Sequence, residues 1–294
     1  MGDVRAHYDG SASSYHEQYD ADRVWTNAEY PANFFRLRRV IDLLRQAQAV
    51  SVYELGAGEA TPLVRIHEVL GIGVAGNDIS PEMVRLGREN LAAHGLDPQA
   101  LSLLDVEDAA AVAAEIDLRG LSDAVMALGV IPHVRDDVHF VRAMSAFLRP
   151  GGTLLLQFRN SLFSMFTFNR LTKEFILDEL MAPVPQPFRD AVAWDLDARL
   201  AVDKPPLRQR PDGNGYDEIL SRFHNPFELA DVVRDQGFED ISFSWYNYHP
   251  TYPMLSGQFD PHDYRAAQIA LEDDASWRGM FLCSAGLIRA RKRG

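Results

Sequence analysis

The chain has 294 residues, 47% hydrophobic and 24% charged, so it carries enough apolar surface to form a globular core. Lys and Arg total 29 against 42 Asp and Glu, and the net charge of −13 argues against nucleic acid and anionic membranes as partners. The first residues lack the apolar segment of a signal peptide, and no apolar run reaches the ~18 residues of a membrane helix, so we expect a cytoplasmic protein.

The first half of the chain alternates short apolar segments with segments of helix length. The apolar segments predict five strands, at residues 50–55, 71–77, 100–104, 123–128 and 153–158. Strands alternating with helices indicate βαβ units, and therefore an α/β fold with a doubly wound parallel sheet covered on both faces. Two more strands are predicted near the C-terminus, at residues 241–248 and 280–290.

Several of the intervening helices have recognisable start signals. Ser80 precedes a proline and a glutamate, which is typical of an N-cap, and Asn225 precedes a similar start later in the chain. Asp136 or Asp137 is predicted to cap another helix. Two long connections, residues 159–224 and 249–278, are predicted to be irregular, and loops of this length form lids or small subdomains.

The strongest chemical signal follows the first strand. Gly56 and Gly58 allow a sharp strand-to-helix turn and close approach of a ligand to the main chain. Asp78 ends the second strand, 20 residues beyond Gly58, where an acid can accept both hydroxyls of a ribose. Asp105 follows the third strand and can receive an exocyclic amine. The alternative interpretations are a bare strand-to-helix turn for the glycines, a residue that merely precedes the Ser80 cap for Asp78, and a helix cap for Asp105.

NAD and S-adenosylmethionine both fit a ribose-binding acid at this position. A dinucleotide site favours glycine at position 61, where this chain has Thr61, and Glu59 would repel a diphosphate. S-adenosylmethionine has no phosphate and carries a cationic sulfonium and an α-ammonium group, so nearby acids are compatible with it. Charge therefore favours the methyl donor, with an NAD-dependent dehydrogenase as the rival interpretation.

Four ordered motifs resemble those of class I S-adenosylmethionine-dependent methyltransferases of the Rossmann-like, small-molecule type. They are residues 54–58 (ELGAG), 77–83 (NDISPEM), 123–134 (DAVMALGVIPHV) and 148–154 (LRPGGTL). Ala60 departs from the pattern, because the family often has a third glycine there. The resemblance implies a mostly parallel seven-stranded sheet with an antiparallel last strand, and a lid-like insertion after strand 5.

The resemblance also implies where the methionine end of the donor binds. The main chain of Gly56, Ala57 and Gly58 is expected to contact the methionine portion. Glu54 and the carbonyl of Leu128 are expected to face the ammonium group.

The adenosine end is implied to bind at the second and third strands. Asp78 is expected to bind the ribose, and Ile79 and Met83 to flank the adenine. Asp105 and the amide of Val106 are expected to recognise the adenine edge.

Four parts of the chain are expected on this basis. Residues 1–45 form an N-terminal helical segment covering the donor site, where the hydroxyl of Tyr15 can reach the donor carboxylate. Residues 46–158 form the S-adenosylmethionine-binding core. Residues 159–224 form a lid or substrate insertion, and residues 225–294 complete the core with the final strand pair.

Methyl transfer to a hydroxyl needs a proton acceptor, and imidazole suits neutral pH. His133 is the first candidate, because it follows the fourth strand at the donor rim. A capping or packing histidine beside Asp136 is the alternative. His249 is the second candidate, and His16 and His224 are weaker ones.

These patterns favour methyl transfer to a hydroxyl of a small molecule, a sugar or secondary metabolite, with S-adenosylhomocysteine as the product. The Phe- and Tyr-rich insertions suit a small acceptor better than a polymer. An N-methyltransferase acting on a small amine and a non-methylating S-adenosylmethionine-binding protein are the alternatives. No metal is expected, because the chain has a single cysteine, Cys283, and no cluster with ligand spacing. The oligomeric state is left open.

Overall fold

The computed structural model describes residues 19, 32–200, 222–272 and 276–294. Seven strands form one sheet with the order β3-β2-β1-β4-β5-β7-β6. The strands are β1 (Ser51–Leu55), β2 (Gly73–Asp78), β3 (Leu101–Leu103), β4 (Ser122–Ala127), β5 (Leu148–Arg159), β6 (Phe238–Tyr248) and β7 (Cys283–Lys292). Neighbouring strands are parallel except that β7 runs antiparallel to both β5 and β6. The predicted mixed seven-stranded sheet is confirmed.

Helices connect the strands, mostly as the alternating pattern predicts. Those preceding β5 are α1 (Ala32–Gln46), α2 (Thr61–Leu70), α3 (Pro81–Ala93), α4 (Ala109–Arg119) and α5 (Asp137–Ala146). Those following β5 are α6 (Ser164–Thr167), α7 (Arg170–Glu174), α8 (Gln186–Arg199), α9 (Pro226–Asp235), α10 (Pro261–Glu272) and α11 (Gly279–Leu282). Within the described residues, no helix combines the length and the hydrophobicity needed to cross a bilayer.

The two faces of the sheet are covered by separate apolar cores. Side chains alternate along each strand, so Val52 and Met126 face one core while Tyr53 and Val125 face the other. The first core packs against α1, α2 and α3, and the second against α4, α5 and α9. Because both faces are covered, the ligand-accessible surface lies at the carboxyl edge of the strands, where an open α/β sheet binds ligands.

The predicted helix starts agree with the structure. Ser80 Oγ accepts a hydrogen bond from the Met83 amide at 3.1 Å and caps α3. Asp136, and not Asp137, caps α5, because its carboxylate accepts from the His139 amide at 3.0 Å.

The strand boundaries differ from the prediction at one or both ends of each strand, and the starts of β5 and β7 have clear structural reasons. Residues 280–282 belong to the helical turn α11, so the last strand begins at Cys283. Strand β5 begins at Leu148 and not at residue 153, because residues 149–152 form a bulge within it, where Ser122 pairs with Leu148 while Ala124 pairs with Thr153. A glycine at positive φ, Gly151, allows the bulge without ending the strand.

The prediction that the two long connections are irregular is wrong for their described parts. Helices α6, α7 and α8 follow β5, and α10 lies between β6 and β7. Helix α8 has no buried residue, so it lacks the apolar stripe from which a helix is recognised in a sequence. Helix α7 is instead stabilised locally, by a capping box between Asn169 and Thr172.

The glycine turn after β1 gives the first testable prediction. Gly56 has φ +72°, and a Cβ there would lie 2.4 Å from Val130 Cγ2, in the loop after β4. We expect Gly56→Ala to destabilise the protein by about 2–5 kcal/mol, from the left-handed backbone and from overpacking together. Urea denaturation measures the change.

Gly95 is the matched control for this substitution. It has φ +73° with nothing within 4 Å of its added Cβ, so Gly95→Ala isolates the backbone cost of about 1–2 kcal/mol. An equal loss of stability in the two variants would show that the contact with Val130 costs nothing.

Candidate active site

The turn after β1 is joined to the end of β2 by hydrogen bonds that main-chain amides donate. The Ala57 amide donates to the Asn77 carbonyl at 2.8 Å, and the Gly58 amide donates to Asp78 Oδ2 at 2.8 Å. Ala60 takes a left-handed conformation with φ 63°, a conformation that glycine adopts at lower cost. The turn therefore keeps its shape with Ala60 in place of the third glycine.

Asp78 is fixed by both of its carboxylate oxygens. Oδ2 accepts from Gly58, and Oδ1 accepts from the Ser80 amide at 2.8 Å. Ser80 itself caps α3, as predicted. Its carboxylate is held at the carboxyl edge of the sheet beside the glycine turn.

Glu54 is a buried carboxylate in an acidic environment. Its side chain is 1% exposed, and its Oε2 has no hydrogen-bond partner among the described residues. Desolvation raises the pKa of Glu54 to about 8. The positive charge of Arg36 opposes this shift, and the negative charges of Asp78 and Glu59 add to it. A buried carboxylate oxygen without a partner is suited to accept a hydrogen bond from a cationic ligand.

Arg36 is a site residue that the sequence analysis missed. It is buried on α1, and its Nη2 donates to the Tyr19 hydroxyl at 2.7 Å. A Cβ built on Gly129, just after β4, would lie 3.6 Å from Arg36 Nη1. The guanidinium thus lies between Glu54 and the loop after β4. In the sequence, Arg36 stands between two apolar helix residues. This pattern does not distinguish a buried arginine from one exposed to solvent.

The residues predicted for the adenosine end lie around the ends of β2 and β3. Ile79 is 44% exposed, whereas Met83 is 2% exposed and packs beside Gly58. Asp105 is exposed, and its Oδ1 accepts from the Glu107 amide at 2.9 Å. Val106, the next residue, is half-buried.

The alternative interpretation of Asp105 as the cap of the next helix is not supported. Asp108 caps α4, because its carboxylate accepts from the amides of Ala110 and Ala111. Leu128, predicted for the ammonium end, is buried directly after β4, and the predicted Tyr15 lies outside the described residues.

The two histidines predicted as bases lie apart. His133 is half-buried at the end of a short 3-10 turn after β4, whereas His249 follows β6. Two strands, β5 and β7, separate β4 from β6, a distance of about 14 Å across the sheet. Burial lowers the pKa of His249 to about 4, and its ring lies 4.7 Å from that of Phe163. His249 is therefore neutral at physiological pH and poorly suited to take up a proton.

No group of three or more His, Cys, Asp or Glu side chains in the described part of the chain is arranged to hold a metal ion. The expectation that no metal is needed stays a prediction. Loss of activity on chelation, restored by a divalent cation, would contradict it.

Glu54 gives a second prediction, on stability. A raised carboxyl pKa means that Glu54 stabilises the fold below its unfolded pKa of about 4.5, and that this contribution is lost as pH rises toward 8. We expect Glu54→Gln to raise the melting temperature of the donor-free protein at pH 8 by about 2–8 °C, and by less at pH 5. Thermal unfolding at the two pH values measures this, and a lower melting temperature at pH 8 would contradict it.

Comparisons with known proteins show which family and which fold the chain is similar to. Residues 53–154 match the family model described as a methyltransferase domain. Ubiquinone biosynthesis O-methyltransferase of Xanthomonas campestris is 32% identical over 107 residues, which cover 36% of this chain and 42% of that relative. The same enzyme of Xanthomonas axonopodis is 30% identical over 158 residues, covering 52% of this chain and 63% of the relative. The chain thus spans less than two thirds of these relatives.

Two solved structures share the fold. A Thermotoga maritima protein described as a SAM-dependent methyltransferase and possible histamine N-methyltransferase has a TM-score of 0.54 at 15% identity, covering 99% of this chain and 100% of that one. Human N-acetylserotonin methyltransferase, solved with S-adenosylmethionine, has a TM-score of 0.50 at 14% identity. The match covers 97% of this chain and 57% of that one.

The sheet order is that of the Rossmann-like fold of class I S-adenosylmethionine-dependent methyltransferases, which the two solved structures share. Residues 53–154, which match the family model, run from β1 into β5 and include the glycine turn and Asp78. This part of the chain is therefore similar to a methyltransferase domain.

Proposed function

We propose that the chain transfers the methyl group of S-adenosylmethionine to a hydroxyl group of a small molecule. The observation that carries this proposal is the buried Glu54 carboxylate near the carboxyl edge of the sheet, whose Oε2 has no hydrogen-bond partner among the described residues. The donor carries a cationic ammonium group that satisfies this atom, whereas NAD offers a negatively charged diphosphate. When bound, the donor supplies a methyl group already activated by the sulfonium.

The methionine end of the donor is assigned to the turn after β1. The main chain of Gly56, Ala57 and Gly58 would contact the methionine portion, with Glu54 at its ammonium group. Arg36 would meet the donor carboxylate, because its guanidinium is buried opposite Glu54 and beside Gly129. The carbonyl of Leu128 and the hydroxyl of Tyr15 complete the expected contacts at this end.

The adenosine end is assigned to the loops after β2 and β3. Asp78 would accept hydrogen bonds from the ribose hydroxyls, and its position beside Gly58 supports this role. Ile79, which is half exposed, and Met83 would flank the adenine, and Asp105 and the Val106 amide would recognise its edge.

A small acceptor is supported by aromatic side chains at the same edge of the sheet. The rings of Phe163 and Phe166 lie 6.1 Å apart, and those of Phe166 and Tyr252 lie 5.0 Å apart. Residues 159–224, which include Phe163, would form the roof of the acceptor site. Oxygen is favoured over nitrogen as the nucleophile, because the curated relatives are named O-methyltransferases.

Isothermal titration with S-adenosylmethionine, S-adenosylhomocysteine and NAD tests the donor assignment. We expect both sulfur compounds to bind and NAD not to bind. Formation of S-adenosylhomocysteine is then measured with catechols, sugars and small amines as acceptors. Tight binding of NAD alone would overturn the proposal, and turnover with amines alone would replace the hydroxyl by an amine acceptor. Donor binding without transfer to any class would favour a non-methylating protein.

A further inference from the structure

A short segment at the end of the insertion lies against the end of β5. The His224 amide donates to the Arg159 carbonyl at 2.7 Å, and the Ser161 amide donates to the His224 carbonyl at 3.0 Å. The Arg222 amide donates to the Pro132 carbonyl at 2.8 Å. These residues therefore connect the end of β5 to the loop after β4.

His224 is buried there beside an acid. Its side chain is largely excluded from solvent, and Nε2 lies 3.5 Å from Asp137 Oδ1 at the start of α5. Arg222 forms an ion pair with the same carboxylate. Burial alone would raise the pKa of Asp137, but contacts with His224 and Arg222 outweigh it and lower this pKa. Asp137 is thus held as an anion facing the imidazole.

Neither ring nitrogen of His224 has a hydrogen-bond partner among the described residues, because Nε2 lies within ion-pair distance of Asp137 and not in hydrogen-bond geometry. Nδ1 is buried as well. A carboxylate beside Nε2 favours the tautomer with the proton on Nε2, which leaves a lone pair on Nδ1. Buried polar atoms without partners are rare and need an explanation, and an imidazole oriented by an acid can act as a base.

The position of His224 relative to the donor site supports this role. The adenosine end of the donor is assigned to the ends of β2 and β3, and its methionine end to β1 and β4. In the sheet order the next carboxyl end is that of β5, so an acceptor in line with the methyl group would lie over β4 and β5. His224 lies beside the end of β5, and the aromatic Phe163 follows β5 closely in the chain.

We propose that His224, oriented by Asp137, accepts the proton of the acceptor hydroxyl during methyl transfer. The inference rests on the proposed function. The hydroxyl oxygen forms the new bond to the methyl carbon, the carbon–sulfur bond breaks, and its electron pair stays on sulfur to give the neutral thioether. The hydroxyl proton moves to His224 Nδ1 and afterwards to water, so charge and atoms balance.

The test uses 4-nitrocatechol, an aromatic hydroxyl compound whose ionised form absorbs visible light. The probe is titrated into the full-length chain saturated with S-adenosylhomocysteine, which prevents turnover. Wild type should bind the probe as its phenolate. His224→Gln should lose the phenolate absorbance and weaken binding by about tenfold or more, as expected for a lost charged hydrogen bond. Asp137→Asn should weaken it by a smaller factor.

Two controls separate this effect from misfolding. Calorimetric binding of S-adenosylhomocysteine should be unchanged in both variants. His94→Gln is the matched histidine control, because His94 is exposed at the end of α3, away from the carboxyl edge. It should bind the probe like wild type. If His224→Gln fails to bind S-adenosylhomocysteine, the test rests on Asp137→Asn instead. A phenolate signal in Asp137→Asn equal to that of wild type would then overturn the inference.

The outcomes distinguish this inference from the proposed function. No binding of S-adenosylhomocysteine to wild type would refute the proposed function itself. Binding of the product without formation of probe phenolate would refute only the role of His224. Loss of phenolate in His133→Gln but not in His224→Gln would also refute it, and would assign the base to His133.

Discussion

Replacing Asp78 with alanine is expected to weaken binding of S-adenosylmethionine by about ten- to a hundredfold. Two causes combine. The charged hydrogen bonds to the ribose hydroxyls are lost, and each hydrogen bond to a charged group is worth about 1.5–3 kcal/mol. The carboxylate also holds the amides of Gly58 and Ser80 at 2.8 Å each, so the glycine turn loses an anchor. Isothermal titration measures the affinity.

Asp97→Ala is the matched control for this variant. Asp97 holds the Gln99 amide at 2.9 Å in the same way that Asp78 holds Ser80, but it precedes β3 at the opposite edge of the sheet. We expect donor affinity to be unchanged in Asp97→Ala. Equal affinities for wild type and Asp78→Ala would remove Asp78 from the donor site.

Binding of S-adenosylmethionine is expected to weaken as pH falls below 8. The pKa of Glu54 is raised to about 8, so the carboxyl is mostly protonated at lower pH in the donor-free protein. A cationic ammonium group binds the ionised form, so one proton must be released on binding. The affinity should therefore fall about tenfold for each pH unit below 8, or about a hundredfold between pH 8 and pH 6.

The variant Glu54→Gln tests the source of this pH dependence. Its affinity should be low and nearly constant between pH 6 and pH 8, because the amide does not titrate. Calorimetry in buffers of different ionisation enthalpy should detect release of about one proton in wild type and none in the variant. A flat affinity profile in wild type would show that Glu54 does not face the ammonium group.

The sheet, the glycine turn and the candidate ribose-binding acid could be predicted from the sequence. These features have local causes. Buried parallel strands are short apolar runs, the turn needs the left-handed conformation of Gly56, and the cap of α3 is set by Ser80. Asp78 could be assigned because parallel strands present their carboxyl ends at one edge, which places it beside Gly58.

The other parts of the candidate site could not be predicted from the sequence. Arg36 comes within electrostatic range of Glu54 because α1 packs against the sheet, and nothing near Arg36 in the sequence indicates that its guanidinium is buried. Arg222 and Asp137 are 85 residues apart, and they meet only where the end of the insertion returns to β5. Such contacts depend on long-range packing, so the sequence could identify the donor motif but not the groups that face it.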